Sequence, residues 1–303
     1  MNLVVLCNPK SGRGKGARLA QQFAESLRAD GHHVHVVSIP KSAEESQLPG
    51  ALAEGRRREG RPADALIIFG GDGTLHHSLP AAIDASVPIY HVPLGTENLF
   101  ARQYGMDRSL ERLRSALARG SVVLTDVGLC NGRPFVIMCS VGPDANVIHR
   151  LAKVRSGAIT HLSYVRPGLA ELRSPGFVPL TITIDGEEVA SKRKGIVVVS
   201  NSRQYAMRLD PAHRASMTDG LLDVVFYPCR TRFRALGWLF TTMMRQQTRR
   251  RDVVYRHARE VTINNCGSPA PYQLDGEAAG PEIGIAALRI SIAPGALKVL
   301  VPA

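Results

Sequence analysis

The apolar run Ala65-Leu66-Ile67-Ile68 leads directly into Phe69-Gly70-Gly71-Asp72-Gly73-Thr74. A short, continuous apolar run of this kind reads as a buried strand. Where such a strand breaks into glycines, backbone N–H groups are left free and a phosphate can approach closely. Asp72 and Thr74 set a carboxylate and a hydroxyl beside that cradle. The combination suits a nucleoside triphosphate better than it suits a core.

The residues around this turn alternate between strand and helix patterns. Leu3 to Leu6 reads as a strand, Gly16 to Ala29 as an amphipathic helix, and His33 to Ile39 as a second strand. Ser42 to Glu59 is expected to be mostly helix, Ala65 to Phe69 a third strand and Leu75 to Ala85 a helix. Ile89 to Val92 follows as a strand, with a further helix from Leu99. Such alternation predicts parallel βαβ units with ligands at the carboxyl ends of the strands.

The pattern changes near residues 121–130. Beyond it the segments Thr181–Asp185, Gly195–Asn201, Leu221–Phe226, Glu260–Asn264 and Leu288–Ile292 read as strands. Gly, Asp-Gly or Pro punctuation between many of them predicts a second domain resembling a β-sandwich. One helical stretch interrupts it, Arg232 to Thr248, with Phe233, Leu236, Trp238, Leu239, Phe240, Met243 and Met244 beside Arg249-Arg250-Arg251. An apolar face with basic ends suits anionic lipid. The expectation adopted for it is the ordinary one, a helix packed on a core with a solvated basic end.

Composition narrows the function classes. At 303 residues and 44% hydrophobic, the chain can bury a sizeable core, more readily as two domains than as one. No run of about eighteen apolar residues occurs, so no transmembrane helix is expected, and Met1 to Cys7 enters Asn8-Pro9 as a first strand, not a signal peptide. Cys7, Cys130, Cys139, Cys229 and Cys266 have neither metal-ligand nor redox spacing, which predicts buried thiols in a reducing cytoplasm. A net charge of +12 calls for anionic partners. Only 5% of residues are aromatic, and no zinc-finger or aromatic RNA-binding signature is present. Phosphorylated ligands and anionic membrane are therefore preferred to nucleic acid.

Two further polar turns follow strands. Asn8-Pro9-Lys10-Ser11-Gly12-Arg13-Gly14-Lys15-Gly16 is not a Walker A loop, because Gly16 stands where Ser or Thr is required and the upstream glycine is missing. Its Gly12, Gly14 and Ala17 fit a loose dinucleotide pattern, but the second strand ends in Val37-Ser38-Ile39-Pro40 without an acidic residue for a ribose. A basic, glycine-rich loop at a helix start still suits phosphate. Pro93-Leu94-Gly95-Thr96-Glu97-Asn98 forms the third turn. Three such turns at βαβ spacing are expected to converge on one crevice.

Together these segments resemble the diacylglycerol kinase catalytic-domain family of lipid kinases. The resemblance continues through Val141-Gly142-Pro143-Asp144-Ala145, Asn201, Tyr205, Pro211-Ala212, Asp219-Gly220-Leu221-Leu222-Asp223 and Gln273-Leu274-Asp275-Gly276-Glu277, in order over nearly the whole chain. It implies an α/β nucleotide-binding domain over 1–125, with 291–303 packing back onto it, and a β-sandwich-like substrate domain over 126–290, with the site in the cleft between them.

It also implies ATP over Asn8, Pro9, Lys10, Ser11 and Gly12, over Gly70, Gly71, Asp72, Gly73 and Thr74, and over Gly95, Thr96 and Asn98. Ser38 stands where the family has a nucleotide-contacting Thr. Asp72 belongs with the magnesium–phosphate network, joined by Asp144. A structural Mg²⁺ maps onto Asp219 with the carbonyls of Ser216 and Leu221, an oxygen set suited to a hard cation. Glu277, with Asp275, is the implied base for the acceptor hydroxyl. Asp185-Gly186-Glu187 repeats that triplet but lies upstream of Asp219, so Glu187 is assigned to a hairpin turn.

The activity implied is ATP- and Mg²⁺-dependent phosphorylation of diacylglycerol or a related lipid alcohol. It would be carried out in the cytoplasm at the inner membrane face by a protein touching anionic lipid, with room for a homodimer and no nucleic-acid partner. A kinase of a sphingoid or non-lipid alcohol, an NAD kinase-like enzyme and a silent nucleotide- or lipid-binding protein are the alternatives. Two departures bear on them. His76-His77 replaces Asn and Glu after the second motif, and Glu97 precedes Asn98 where a small residue is usual. Consecutive helical residues diverge by about 100°, so the histidines are expected at the surface and not on zinc. Glu97 would repel phosphates unless it is paired, with Arg102 as a candidate partner.

Overall fold

The computed structural model describes residues 1–39, 47–59, 63–154, 176–267, 270–279 and 287–302. They divide into two compact units, one drawn from 1–125 with 295–302 and the other from 126–154 and 176–294.

The first unit is a parallel α/β layer. Its strands are β1 (Asn2–Cys7), β2 (His33–Ser38), β3 (Ala65–Gly70) and β4 (Ile89–Pro93), in the order β2-β1-β3-β4. Register runs Leu3 beside Val34 and Ala65, and Leu66 beside Ile89. All of β3 and β4 is buried, as a parallel strand covered on both faces must be. The last strand of the chain, β15 (Ala287–Leu300), adds Val299 beside Ile89 in parallel.

The helices are α1 (Gly16–Ala29), α2 (Leu48–Glu59), α3 (Asp72–Ala85), α4 (Leu99–Gln103) and α5 (Leu110–Arg119). In α1 the spacing of Ala20, Phe23, Ala24 and Leu27 makes one buried face, and the Phe23 ring meets Phe69 edge-on at 5.1 Å. Residues 40–46, the start of the helix expected from Ser42, lie outside the described residues. The helix expected from Leu75 begins three residues earlier, so Asp72-Gly73-Thr74 is its first turn and not a loop before it. The helix expected from Leu99 is two, α4 and α5, separated by a turn in which Gly105 has φ +65°.

The second unit contains β5 (Val122–Cys130, which begins in the first unit), β6 (Arg133–Phe135), β7 (Met138–Val141), α6 (Pro143–Val154), β8 (Pro179–Ile184) and β9 (Glu187–Ser200). After them come β10 (Leu222–Pro228), α7 (Arg232–Met243), β11 (Val254–Ala258), β12 (Glu260–Asn264), β13 (Tyr272–Leu274), β14 (Glu277–Ala279) and most of β15. Two antiparallel sheets share β9. Its first half pairs with β8, which continues to β12 and β15, and its second half lies between β7 and β10 in the order β14-β13-β7-β9-β10-β11.

The change of partner falls at Gly195, where a methyl would sit 2.3 Å from the Tyr227 carbonyl. Leu180, Ile182, Val261 and Ile290 from one sheet share a core with Val197, Val199, Val224 and Phe226 from the other. β9 is twice as long as its sequence suggests, because the exposed run Lys192-Arg193-Lys194 hides its first half. α6 had no counterpart among the expected elements. Four cysteines are buried as expected, whereas Cys266 is exposed. Among the described residues no helix is long and apolar enough to cross a membrane.

Candidate active site

In the first unit the three polar turns are in contact. Asn8, at the end of β1, donates its backbone N–H to the Phe69 carbonyl at 3.1 Å and its side-chain Nδ2 to Thr74 Oγ1 at 3.3 Å. Gly70 sits under Thr74 so closely that a methyl there would lie 2.3 Å from the Thr74 Cβ. The second and third turns meet at two glycines, since a methyl on Gly95 would lie 2.8 Å from the Gly71 Cα. Leu94 N–H donates to the Gly70 carbonyl at 2.7 Å, and Phe100 N–H donates to Asp72 Oδ1 at 3.2 Å. Glycine at 70, 71 and 95 is thus a packing requirement and not only a matter of backbone freedom.

The result is a shallow cradle over the N-terminus of α3. Asp72, Gly73 and Thr74 form its first turn, where the Thr74 N–H donates to the Gly71 carbonyl at 2.9 Å and the helix dipole favours an anion. Ser11 to Gly14 is a short 3₁₀ turn; Gly12 has φ +59°, and a methyl on it would lie 3.8 Å from Leu94 Cβ. Pro9, Lys10 and Thr96 are exposed. Ser38 ends β2 beside Cys7, with Oγ 3.5 Å from Sγ. Asn98 turns its amide onto Gly95, accepting its N–H at 2.8 Å and donating to its carbonyl at 2.9 Å. It therefore shapes the third turn from a left-handed conformation, φ +48°.

The two departures from the family pattern resolve locally. Glu97 Oε2 pairs with Arg102 at 3.3 Å, so its charge is offset. The expectation of two surface histidines holds only for His77; His76 is buried, and the rings pack edge-on at 5.5 Å. His91 is fully buried on β4, its Nε2 3.0 Å from the Gly70 carbonyl. Burial holds it below the ordinary imidazole value, with the Asp72 charge acting in the opposite direction.

In the second unit Asp144 lies in the first turn of α6. Its Oδ2 accepts hydrogen bonds from Ser140 Oγ and, at 3.1 Å, from the Tyr205 hydroxyl; Oδ1 is buried without a hydrogen-bond partner among the described residues. Burial pushes this carboxyl above the usual aspartate range, and the bonds from Ser140 and Tyr205 pull it back. Ser140 in turn accepts from Gln273 Nε2 at 2.8 Å, and Gln273 Oε1 accepts the Gly276 N–H at 2.7 Å. Gly276 is the turn residue beside Glu277, whose β14 pairs Glu277 with Leu274 across the hairpin. One chain of hydrogen bonds therefore runs from Asp144 to the Glu277 hairpin.

Both Asp-Gly-Glu triplets are hairpin turns, with φ +47° and +87° at Asp185-Gly186 and +52° and +85° at Asp275-Gly276. Their surroundings differ. Asp185, with its strand ends exposed, accepts from Arg259 and Glu260 N–H. Asp275 is buried and accepts three N–H groups, from Val136 at 3.0 Å, Ile137 at 2.7 Å and Met138 at 3.0 Å. Asp275, expected among the catalytic residues, accepts these three backbone N–H groups and so anchors the hairpin that carries Glu277.

Asp126 and Asn201 complete this scaffold. Buried Asp126 accepts the Gly220 N–H at 2.7 Å, and Asn201 Nδ2 donates to the carbonyls of Asp126 at 2.8 Å and Val136 at 3.0 Å. The Asp219 turn is thereby tied to the strand segment that Asp275 holds. Asp219 itself is exposed, with Oδ1 accepting the Leu221 N–H at 3.1 Å; Ser216 Oγ stands 3.3 Å from Thr218 Oγ1. Among the described residues no three His, Cys, Asp or Glu side chains gather as a metal centre. Asp126 and Ser140 carried no motif of their own; a carboxylate at the centre of the strand pattern Val122 to Cys130 was the available signal for the first.

Beside Asp144 lies a cavity of about 290 Å³. Val147 of α6, Val198 of β9, Tyr227 of β10 and Leu236, Trp238 and Leu239 of α7 contribute to its lining, and its polar groups include the Asp144–Tyr205 pair and Thr242. It is at the small end of the range for ligand sites.

The sequence profile of the diacylglycerol kinase catalytic domain matches residues 2–130, and that of the YegS C-terminal NAD kinase beta sandwich-like domain matches 137–301. A diacylglycerol kinase of Mycobacterium tuberculosis (strain ATCC 25618 / H37Rv) is 27% identical over 308 residues, covering 99% of this chain and 95% of its own. The crystal structure of a diacylglycerol kinase from Bacillus anthracis str. Sterne matches with TM-score 0.67 at 16% identity, covering 99% of this chain and 96% of that one. Yeast NADH kinase complexed with NADH matches with TM-score 0.56 at 12% identity, covering 100% and 83%. With two matched domains in the expected order, the chain belongs to the diacylglycerol kinase catalytic-domain family of lipid kinases.

Proposed function

We propose that this protein transfers the γ-phosphoryl group of ATP to the hydroxyl of diacylglycerol or a related lipid alcohol. The observation that carries the lipid reading is the apolar cavity holding the Asp144–Tyr205 pair, joined by hydrogen bonds to the Glu277 hairpin. A cavity lined by Leu236, Leu239, Val147 and Val198 takes an alkyl chain and offers little to a nucleotide or sugar.

The residues present fit the implied co-substrate and metal. The N-terminus of α3 presents backbone donors, and a methyl at Gly70, Gly71 or Gly95 would intrude on its packing. We assign Asn8 to Gly12, Gly70 to Thr74 and Gly95 to Thr96 to the ATP phosphates, with Ser38 alongside and Asn98 shaping the third turn. Asp72 is assigned to the magnesium–phosphate network, and Asp219 with the Ser216 and Leu221 carbonyls to a structural cation, because all three donors are oxygen. When bound, ATP supplies the phosphoryl group and Mg²⁺ offsets the charge gathered on it.

The chain's own part is positioning and proton transfer. Glu277, half-buried at the start of β14, accepts the proton as the lipid oxygen bonds to phosphorus and the bond to the ADP oxygen breaks. Asp144, whose carboxyl burial shifts above the usual aspartate range, is assigned to the lipid's polar group beside the Tyr205 hydroxyl. Asp275, Gln273 and Ser140 fix these two carboxyls. Incubation of the protein with radiolabelled ATP, Mg²⁺ and a lipid extract tests the proposal. A labelled lipid is expected; clear ATP binding without transfer to any lipid would overturn it.

A further inference from the structure

The helix expected to pack on the core does so with one narrow face only. Trp238 is buried and donates Nε1–H to the Pro228 carbonyl at 3.2 Å, and Thr242 Oγ1 meets the Tyr227 hydroxyl at 3.4 Å. The opposite side of α7 carries Phe233 and Phe240, 72% and 67% exposed, followed by Met243 and Met244. Positions 233, 240 and 243–244 repeat at helical spacing, so they form one outward stripe. Soluble proteins seldom leave such a contiguous apolar stripe uncovered without a partner for it.

The charge around the stripe identifies that partner. Residues 230–252 contain seven arginines and one carboxylate, Asp252, which Arg234 and Arg250 already engage. Arg232 lies over the Phe233 ring at 5.1 Å, and Arg250 over Trp238 at 4.4 Å. Arg230, Arg249 and Arg251 are exposed at the ends of the stripe. A second copy of this chain would bring the same arginines against themselves in a two-fold contact. An anionic surface with an apolar interior satisfies both features, and α7 is too short to span it.

We infer that α7 is a membrane-docking helix that lies in the interface of an anionic bilayer, with Phe233, Phe240, Met243 and Met244 inserted and the flanking arginines on lipid phosphates. Leu236 and Leu239 belong both to its exposed side and to the wall of the Asp144 cavity. A docked α7 therefore gives an acyl chain an apolar route from bilayer to cavity. The inference deepens the lipid-kinase reading and rests on it for its purpose, but docking itself requires neither ATP nor turnover.

Co-sedimentation of the full chain with vesicles tests it, comparing phosphatidylcholine alone with phosphatidylcholine mixed with phosphatidylglycerol. Binding is expected on the mixed vesicles only and should weaken as salt is raised. The double variant Phe240→Glu with Met243→Glu should lose about tenfold or more in vesicle affinity. Its thermal melt and its turnover of a short-chain diacylglycerol dispersed as monomers should match those of the wild type. Arg249→Gln with Arg251→Gln should lose affinity for mixed vesicles by about fivefold per arginine. Wild-type protein that ignores anionic vesicles, a glutamate variant that binds them equally well, or a wild-type dimer that the variant splits without change in vesicle binding would overturn the inference. Vesicle binding without phosphoryl transfer would instead count against the kinase reading alone.

Discussion

Gly71 and Gly95 meet backbone to backbone, so a methyl on Gly95 would lie 2.8 Å from the Gly71 Cα and 2.9 Å from Asn98 Oδ1. Neither neighbour is the free end of a flexible side chain. Asn98 is held by two hydrogen bonds to Gly95 itself, and Gly71 is the cap of α3. Gly95→Ala must therefore part the second and third turns. Overpacking of this sort costs about 1–3 kcal/mol. The variant should show a lower melting temperature and about tenfold weaker ATP binding by titration calorimetry.

Asp275 and Asp185 occupy the same turn position, yet their removal should differ sharply. Asp275→Ala leaves the N–H groups of Val136, Ile137 and Met138 buried without their acceptor, at about 1–3 kcal/mol each. That is a large share of an ordinary folding free energy of roughly 5–15 kcal/mol. Asp185→Ala strips two N–H groups at an exposed strand end, where water replaces the carboxylate. Urea denaturation should show severe loss for the first and about 1 kcal/mol for the second.

Asp144 makes a stability prediction with a definite sign. Burial raises its pKa in the folded protein above the unfolded value. Over the window that opens at the ordinary aspartate value of 3.8 and closes at the raised one, the unfolded state loses the proton that the folded state keeps. Its contribution is therefore most favourable at acid pH and declines as pH rises through that window. Asp144→Asn removes the titration. Its melting temperature relative to wild type should be higher at neutral pH than at pH about 4.

The first unit was legible because its information is local. An apolar run ending in Gly70-Gly71 marks a buried strand and its turn, and the spacing of Ala20, Phe23 and Leu27 marks a helix face. The convergence of three turns, and the pairing of Glu97 with Arg102, could be inferred from order and charge. The second unit was less legible because its key relationships are long-range. Asp275 reaches back 139 residues to Val136, and Asn201 joins Asp126 and Val136 across 75 and 65 residues. No periodicity encodes such bonds. The charged run Lys192 to Lys194 hid half of β9, because it interrupts the apolar alternation while Arg193 and Lys194 still pair with Leu180 and Pro179 of β8. For α7 the composition was clear, but which face it buries was decided by Trp238 and not by the average of its apolar residues.

Glu277 is the proposed acceptor of the lipid hydroxyl's proton during phosphoryl transfer from ATP. The direct measurement is initial-rate transfer of label from ATP to dispersed diacylglycerol by wild type, Glu277→Ala and Glu187→Ala, with ATP affinity measured on each. Glu277→Ala should lose about 10²-fold or more in rate while binding ATP normally, and Glu187→Ala should match wild type. Retained transfer in Glu277→Ala, with loss in Glu187→Ala, would contradict that role for Glu277.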